Sequence, residues 1–170
     1  YLQYVKTNAE QMNDLIRDIL EFSKVEKGGD EKIEVDSNIS LCHAVQNITT
    51  LIDSKNAKVS SDVLPSFFGK NSQVIQLFQN LIGNGIKYNQ SSQPHVNIKY
   101  KLVGDNHQID IIDNGIGISE EYKEKVFDVF ERLENKNEYE GTGLGLSICK
   151  KIVSNLGGEI WLESTLDVGT

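Results

Sequence analysis

Apolar residues in the first part of the chain recur at spacings that alternate between three and four. The series is Leu2, Val5, Ala9, Met12, Ile16 and Ile19, and it continues to the small residue Ser23. This is the heptad period of a helix that buries a narrow seam against another helix. Residues 1–27 are therefore predicted to form one helix, and the glycines at 28 and 29 end it. We expect this helix to pair with other helices or a second copy, although folding back on the following domain would also cover its seam.

Beyond the glycines, helical and alternating patterns follow one another. Residues 96, 98, 100 and 102 are apolar and alternate with polar residues, which is the period of a half-buried strand. Predicted strands cover residues 32–36, 58–63, 66–69, 95–103, 107–113 and 159–165, and predicted helices cover 38–57, 71–89, 119–127 and 144–158. The order predicts an α+β two-layer sandwich, in which three helices cover one face of a mixed, mostly antiparallel sheet. Asn71 or Ser72 is the expected cap of the second of these helices.

Composition narrows the kind of partner. The chain of 170 residues is 38% hydrophobic and 25% charged, which is a globular balance, and its formal net charge is −8. Without a basic run, it is not expected to bind nucleic acid or to contact a membrane directly. Cys42 and Cys149 are far apart and predict reduced, part-buried thiols of a cytoplasmic domain. These observations do not exclude a membrane anchor elsewhere in a longer parent protein.

The stretch GTGLGL at residues 141–146 places three glycines before a predicted helix. It is neither a Walker A motif nor a Rossmann fingerprint, because the spacing of the glycines and the context differ from both. Backbone amides at the start of a helix bind phosphate through their N–H groups and the helix dipole. The pattern therefore favours an anion site, with a simple hinge as the alternative.

Two further patterns carry polar chemistry. Asn80, Asn84 and Lys87 share one helix face, where amide oxygens suit Mg²⁺ if phosphates supply the charge, and a lysine can neutralise phosphate. Alone, such a stripe is more often a solvated face than a binding site. Asp113 is the last residue of the apolar strand IDIID. A carboxylate there could accept a hydrogen bond from an exocyclic amine such as that of adenine, although Asp-Asn-Gly is also a common turn.

Taken together and in this order, these motifs resemble one family. QLFQNLIGNGIKY resembles the N box, DNGIGI the G1 box, VFDVFERL the F box and GTGLGL the G2 box of the catalytic domain of sensor histidine kinases. LIRDILEFSKVEKG resembles the end of the second helix of their dimerisation bundle. The resemblance implies the Bergerat ATP-binding fold, with ATP and Mg²⁺ as cofactors. It also implies two regions, a partial bundle helix at 1–28 and a catalytic domain at 29–170 whose last strand is missing.

The resemblance implies a role for each matching position. Asn84 would coordinate Mg²⁺, with Asn80 in support, and Lys87 would contact phosphate. Asp113 would hold the adenine amine, and Tyr88 would flank the nucleotide. Further lining positions are Gly115, Gly117 and Ile118 near the base, and Gly141, Thr142, Gly143, Leu144, Gly145 and Leu146 near the triphosphate.

The F box and the residues after it would form a lid over the nucleotide. Phe127 and Phe130 would anchor this lid, and residues 133–140 would be its mobile part. Arg132 would reach the terminal phosphate, which makes Asn80, Lys87 and Arg132 the implied catalytic set.

The departures from the family pattern define what this chain can do. His43, His95 and His107 lack the H-box context, so the phosphoacceptor histidine is expected upstream of this chain, on a first bundle helix. Asn80 stands where hydrolysing relatives have a glutamate base, and an amide cannot act as a base, so phosphoryl transfer is favoured over hydrolysis. The resemblance implies a homodimer that passes phosphate to a response-regulator receiver domain. The alternatives are a protein serine kinase of the same fold, a hydrolysing ATPase, or a dimerising module without activity.

Overall fold

The computed structural model describes residues 12–13, 15–17, 19–20, 23, 32–129 and 142–170. The first of these residues are helical, as the heptad pattern predicts. Met12, Ile16 and Ile19 on the predicted seam are 63%, 54% and 48% exposed. The other apolar seam positions, Leu2, Val5 and Ala9, and the glycine break lie outside the described residues. None of the described helices is long and apolar enough to cross a membrane.

Five strands form two separate sheets in the described part of the chain. They are Ile33–Asp36 (β1), Lys58–Ser61 (β2), Ser66–Gly69 (β3), His95–Val103 (β4) and Asn106–Asp113 (β5). β1 and β3 pair as an antiparallel ribbon, whereas the larger sheet has the order β2-β4-β5. In that sheet β2 is parallel to β4, and β4 is antiparallel to β5. The predicted mixed sheet is confirmed, with β1 and β3 set apart from it.

Beyond residue 23, the described part of the chain contains four α-helices. They are Ser37–Asn47 (α1), Thr49–Ser54 (α2), Asn71–Lys87 (α3) and Gly145–Asn155 (α4). α3 is central, because it contacts α1, α4, β4 and β5. Its residues Val74, Phe78, Ile82 and Ile86, four apart, are at most 2% exposed and form the core with β4. This repeated spacing places one continuous apolar stripe against the sheet.

The predicted helix over 38–57 is interrupted after Asn47, which corrects that expectation. The apolar period runs through Ile48, but the Thr49 hydroxyl donates to the carbonyl oxygens of Val45 and Gln46, at 3.2 and 2.9 Å. Such local bonds compete with regular helix. The predicted cap of α3 was also wrong, since the Asn71 amide oxygen instead accepts a 2.8 Å hydrogen bond from the Ser40 hydroxyl.

Two predicted elements take a different form in the structure. The helix expected at 119–127 is replaced by two short 3-10 turns, Glu120–Tyr122 and Lys125–Phe127. The strand expected at 159–165 is absent; exposure does alternate from residue 159 to 165, but only Thr165 forms a bridge, with Gly169. No described strand lies on the second edge of β5, and a strand needs a neighbour for its ladder.

The two cysteines occupy opposite environments. Both are free thiols, and Cys149 in α4 is fully buried as part of the domain interior. Cys42 on α1 is exposed, so the expectation that both thiols are part-buried was wrong. The pattern of α1 misleads here because Cys42 directly follows buried Leu41 but is not among the buried residues of the helix.

Candidate functional site

The polar stripe on α3 faces the start of α4. Asn80, Asn84 and Lys87 are all half-buried, and the Asn80 amide nitrogen donates to the Gly145 carbonyl oxygen over 3.4 Å. The Lys87 ammonium lies 5.6 Å from the centroid of the Tyr88 ring. The structure therefore brings Asn80, the first residue of the Asn-Asn-Lys stripe, to the glycine-rich stretch, although Asn80 and Gly145 are 65 residues apart in sequence.

The buried thiol of Cys149 also faces Asn80. Burial raises the pKa of Cys149 to about 12, and a hydrogen bond with the Asn80 side chain opposes this shift. The thiol is therefore protonated and unreactive at neutral pH. Together with Gly145, it holds one side of the Asn80 amide against α4.

Asp113 lies at the end of β5, directly against α3. Its carboxylate oxygen Oδ1 accepts hydrogen bonds from the backbone N–H groups of Gly115, at 2.8 Å, and Thr170, at 3.3 Å. Burial raises the pKa of Asp113, and these two N–H groups oppose the shift. The approach to α3 depends on Gly85, since a Cβ there would lie 2.9 Å from the Asp113 Cβ atom.

The backbone around the G1 stretch is closely packed. A side chain at Gly115 would meet the Tyr88 carbonyl oxygen, and one at Gly117 would meet the Thr165 carbonyl oxygen. Ile118 follows, and its N–H donates to the Ser164 hydroxyl over 2.8 Å. The glycines here allow three chain segments to meet beside Asp113.

The second glycine stretch turns directly into α4. Gly143 has a φ of +77°, and the Leu144 N–H donates to the Thr142 hydroxyl over 3.4 Å. Leu144 is 1% exposed and anchors the turn, while Gly145 and Leu146, half-buried, open the helix. The N-cap residue of α4, Leu144, makes no side-chain cap hydrogen bond, and the first helical residue, Gly145, lies beside Asn80. Free amides at a helix start favour an anion.

Some predicted site residues lie outside the described part of the chain. These are Phe130, Arg132, Gly141 and the lid segment 133–140. Phe127 is described; it is half-buried, and the Lys150 ammonium lies 6.0 Å from its ring centroid. The first F-box aromatic therefore packs beside α4, close to the glycine turn.

Sequence reasoning missed two amide side chains that join the walls of the site. The Asn89 amide nitrogen donates to the Asn114 side-chain oxygen over 2.8 Å, which ties the end of α3 to the residue after Asp113. Asn114 was interpreted only as part of a turn. A polar residue at the end of a predicted helix, matched by an amide directly after a predicted strand, was the available signal.

Comparison with known proteins identifies the class. Residues 69–170, more than half of the chain, match the family described as histidine kinase-, DNA gyrase B- and HSP90-like ATPases. The chain belongs to this family. That assignment confirms the resemblance drawn from the four boxes, and with it an ATP-binding domain.

Individual relatives narrow the comparison to sensor kinases. The chain is 35% identical over 169 residues to cyanobacterial phytochrome A from Nostoc sp., covering 99% of this chain and 22% of that protein. It is 33% identical to the adaptive-response sensory kinase SasA from Rippkaea orientalis, covering 94% of this chain and 42% of the relative. The chain thus spans about a fifth of the phytochrome.

Solved structures agree on the fold. The full-length ShkA structure in complex with AMPPNP superposes with a TM-score of 0.78 at 19% identity, covering 99% of this chain and 36% of that one. The catalytic domain of the histidine kinase ThkA gives a TM-score of 0.68 at 25% identity, covering 82% of this chain and 91% of that domain. The two-layer architecture predicted from the sequence is that of histidine kinase catalytic domains.

Proposed function

We propose that this chain is the ATP-binding catalytic part of a sensor histidine kinase, which transfers the γ-phosphoryl group of ATP to a histidine on a helical bundle of the parent protein. The observation that carries the proposal is that two elements approach the same helix, α3. Asp113 lies against Gly85 near one end of α3, and the start of α4 lies against Asn80 further along it. Membership of the ATPase family supports a nucleotide as the ligand.

The adenine end of the nucleotide would lie beside Asp113. One carboxylate oxygen already accepts two backbone N–H groups, which leaves Oδ2 as an acceptor for the exocyclic amine. Gly115, Gly117 and Ile118 would then line the base. Tyr88 at the end of α3 would flank the adenine or ribose.

The triphosphate would lie between α3 and the start of α4. The N–H groups at Gly145 and Leu146 and the Lys87 ammonium would bind phosphate oxygens. Asn84 has a neutral amide oxygen, a donor that fits Mg²⁺ when phosphate oxygens complete its shell. With Asn80 in support, Mg²⁺ bound here would neutralise charge that develops on the phosphates.

The chemistry we propose is transfer and not hydrolysis. A histidine ring nitrogen attacks the γ-phosphorus, the bond to the β,γ-bridging oxygen breaks, and ADP leaves with that electron pair. Asn80 holds its amide nitrogen toward Gly145 and Cys149, and an amide cannot take a proton from water. Positioning and charge stabilisation remain, and these are the main requirements of phosphoryl transfer. Arg132 would act at the terminal phosphate.

We further propose that residues 1–28 belong to a dimerisation bundle and residues 29–170 to the catalytic domain. The exposure of Met12, Ile16 and Ile19 supports pairing of this helix with other helices in a homodimer. One solved relative is described as the histidine kinase ThkA in complex with the response regulator protein TrrA. By analogy, the partner proposed for the parent protein is a receiver domain in the cytoplasm.

Nucleotide titration tests the binding half of this proposal. We expect calorimetry to detect ATP binding that tightens when Mg²⁺ is added. Asp113→Asn should abolish adenine nucleotide binding, whereas Asp110→Asn, on the same strand and paired with Lys101, should leave it unchanged. If the chain binds no nucleotide at millimolar ATP, the kinase proposal is wrong.

Phosphate transfer tests the activity. The chain is mixed with γ-labelled ATP and a separately produced helical bundle that carries a phosphoacceptor histidine. We expect acid-labile, alkali-stable label on the bundle, the signature of phosphohistidine. Acid-stable label would instead indicate the serine kinase alternative, and release of free phosphate alone would indicate a hydrolysing ATPase. Tight binding with none of these products would indicate a non-enzymatic module.

A further inference from the structure

We propose that Asn89 and Asn114 form an amide clamp that positions Asp113 against α3 and so sets the preference of the site for adenine. The inference rests on the proposed nucleotide site and adds two positioning residues to it. Neither side chain is proposed to touch the ligand. Both act through the placement of Asp113.

Asn89 is a buried polar residue whose bonds point toward the site. It is 6% exposed, and its amide nitrogen donates both to the Gly85 carbonyl oxygen, at 3.2 Å, and to the Asn114 side-chain oxygen, at 2.8 Å. Its own side-chain oxygen accepts from the Ser91 N–H over 2.9 Å. With both amide hydrogens and the oxygen engaged, the side chain is held in one orientation.

Asn114 is held equally firmly, from the other direction. Its side-chain oxygen also accepts from the His95 N–H over 2.7 Å, and its amide nitrogen donates to the Gln93 carbonyl oxygen over 3.3 Å. The backbone N–H of Asn114 donates to the His95 carbonyl oxygen over 3.3 Å. The chain therefore leaves β5 in a direction fixed by the start of β4.

These hydrogen bonds and contacts form a closed ring of four residues that includes Asp113. Asn89 binds the carbonyl of Gly85, and Gly85 is the residue whose missing side chain admits the Asp113 Cβ atom. Asn114 is the next residue after Asp113. The turn of α3 that contains Gly85 contacts Asp113 directly. Through Asn89, the same turn is also hydrogen-bonded to Asn114, the next residue in the chain. Loss of the tie would let the loop after β5 move relative to α3, and the free carboxylate oxygen with it.

A pair of nucleotides separates positioning from stability. ADP carries an exocyclic amine that a carboxylate can accept, whereas IDP carries a carbonyl oxygen at the same place. Hypoxanthine also carries a proton on N1, so the ratio of the IDP and ADP dissociation constants measures how well the site recognises this edge of the base. A variant that is merely less folded weakens both nucleotides equally and leaves the ratio unchanged. Hydrogen bonds to charged groups predict a wild-type ratio of about tenfold or more.

The variants are Asn89→Ala and Asn89→Thr in the whole 170-residue chain, with Asn47→Ala as the matched control. Asn47 is an exposed amide on α1 whose side-chain nitrogen donates to the side-chain oxygen of half-buried Gln79 over 3.3 Å, away from Asp113 in sequence and on another helix. Thr at 89 keeps a hydroxyl that can reach the carbonyl four residues back but cannot bridge to Asn114. It therefore decides the test if Asn89→Ala fails to fold.

We expect the ratio to fall at least about fivefold in both Asn89 variants and to remain at the wild-type value in Asn47→Ala. Equal weakening of ADP and IDP would overturn the inference while leaving the nucleotide site intact. A wild-type ratio near one would overturn both the role of Asp113 and the clamp. No binding of either nucleotide by the wild-type chain would overturn the proposed function together with this inference.

Discussion

Replacing Gly115 by alanine adds one methyl group where three chain segments meet. The new Cβ atom would press on the Tyr88 carbonyl oxygen and lie 2.9 Å from Asp113 Oδ1. The Tyr88 oxygen is backbone and cannot rotate away. It also accepts the Ile116 N–H over 3.0 Å, while the Gly115 N–H donates to Asp113 over 2.8 Å. Relief of the clash therefore strains both hydrogen bonds.

The expected loss of unfolding free energy follows from these contacts. Overpacking of a close-packed region costs about 1–3 kcal/mol, and each strained hydrogen bond adds up to about 1 kcal/mol. Alanine also lowers the conformational entropy of the unfolded chain, which offsets about 0.4–1 kcal/mol of this loss. The net loss is about 2–3 kcal/mol, which lowers the melting temperature of a chain this long by about 4–12 °C.

Gly83→Ala is the control for this measurement. A Cβ at Gly83, inside α3, meets nothing within 4 Å, so the helix propensity of alanine should stabilise the chain by about 0.8–1.0 kcal/mol. Thermal melts followed by circular dichroism compare the two variants with the wild type. A Gly115→Ala melting temperature at or above that of the wild type would refute the argument from close packing.

Three further outcomes can be checked. Burial raises the pKa of Asp113, so the folded chain binds the proton of this carboxyl group more tightly than the unfolded chain does. The stability that this tighter binding contributes is lost as the pH rises from 3.8 through the folded pKa. Asp113→Asn should therefore gain stability over the ligand-free wild type across that window and keep the gain at neutral pH, as urea unfolding at several pH values would show; a gain largest in acid would contradict this. A thiol reagent should titrate Cys42 alone in the native chain and Cys149 only after denaturation; rapid labelling of both would mean that α4 opens readily. Ile82→Ala, at 0% exposure, should cost about 2–5 kcal/mol in denaturant unfolding, and a cost near zero would place Ile82 outside the core.

The sequence correctly predicted those helices and strands whose conformation is determined by the pattern of their own residues. The β4–β5 hairpin follows from strict alternation, with Val96 and Ile98 fully buried as expected. α3 follows from its apolar stripe. The end of α4 also has a local cause, since the helix ends at Asn155 and Gly157, just beyond it, has a φ of +82°.

The errors arose where a distant or competing partner decides the conformation. Residues 159–165 alternate like a strand, but a ladder needs a neighbouring strand, and the alternation itself does not reveal whether one is there. At Thr49, a side-chain bond to the preceding turn outweighs a continuous apolar period.

The candidate site likewise has residues that could be predicted from the sequence and contacts that could not. The Asn-Asn-Lys stripe and Asp113 could be singled out because each follows from spacing within one element. Their meeting with Gly145 depends on tertiary packing, and the Asn89–Asn114 bond joins residues 25 apart in sequence. The roles of these side chains toward a nucleotide stay predictions until the titrations are done.

The second edge of β5 bears on how this chain behaves in solution. In the described residues its only backbone hydrogen bond there joins Asp113 to Thr170, and Ile112 beside it is 47% exposed. A row of unpaired N–H and C=O groups is a template for adding a strand from another molecule. Two copies joined at this edge would form one continuous six-stranded sheet. Light scattering across the protein concentrations used for calorimetry would detect such self-association.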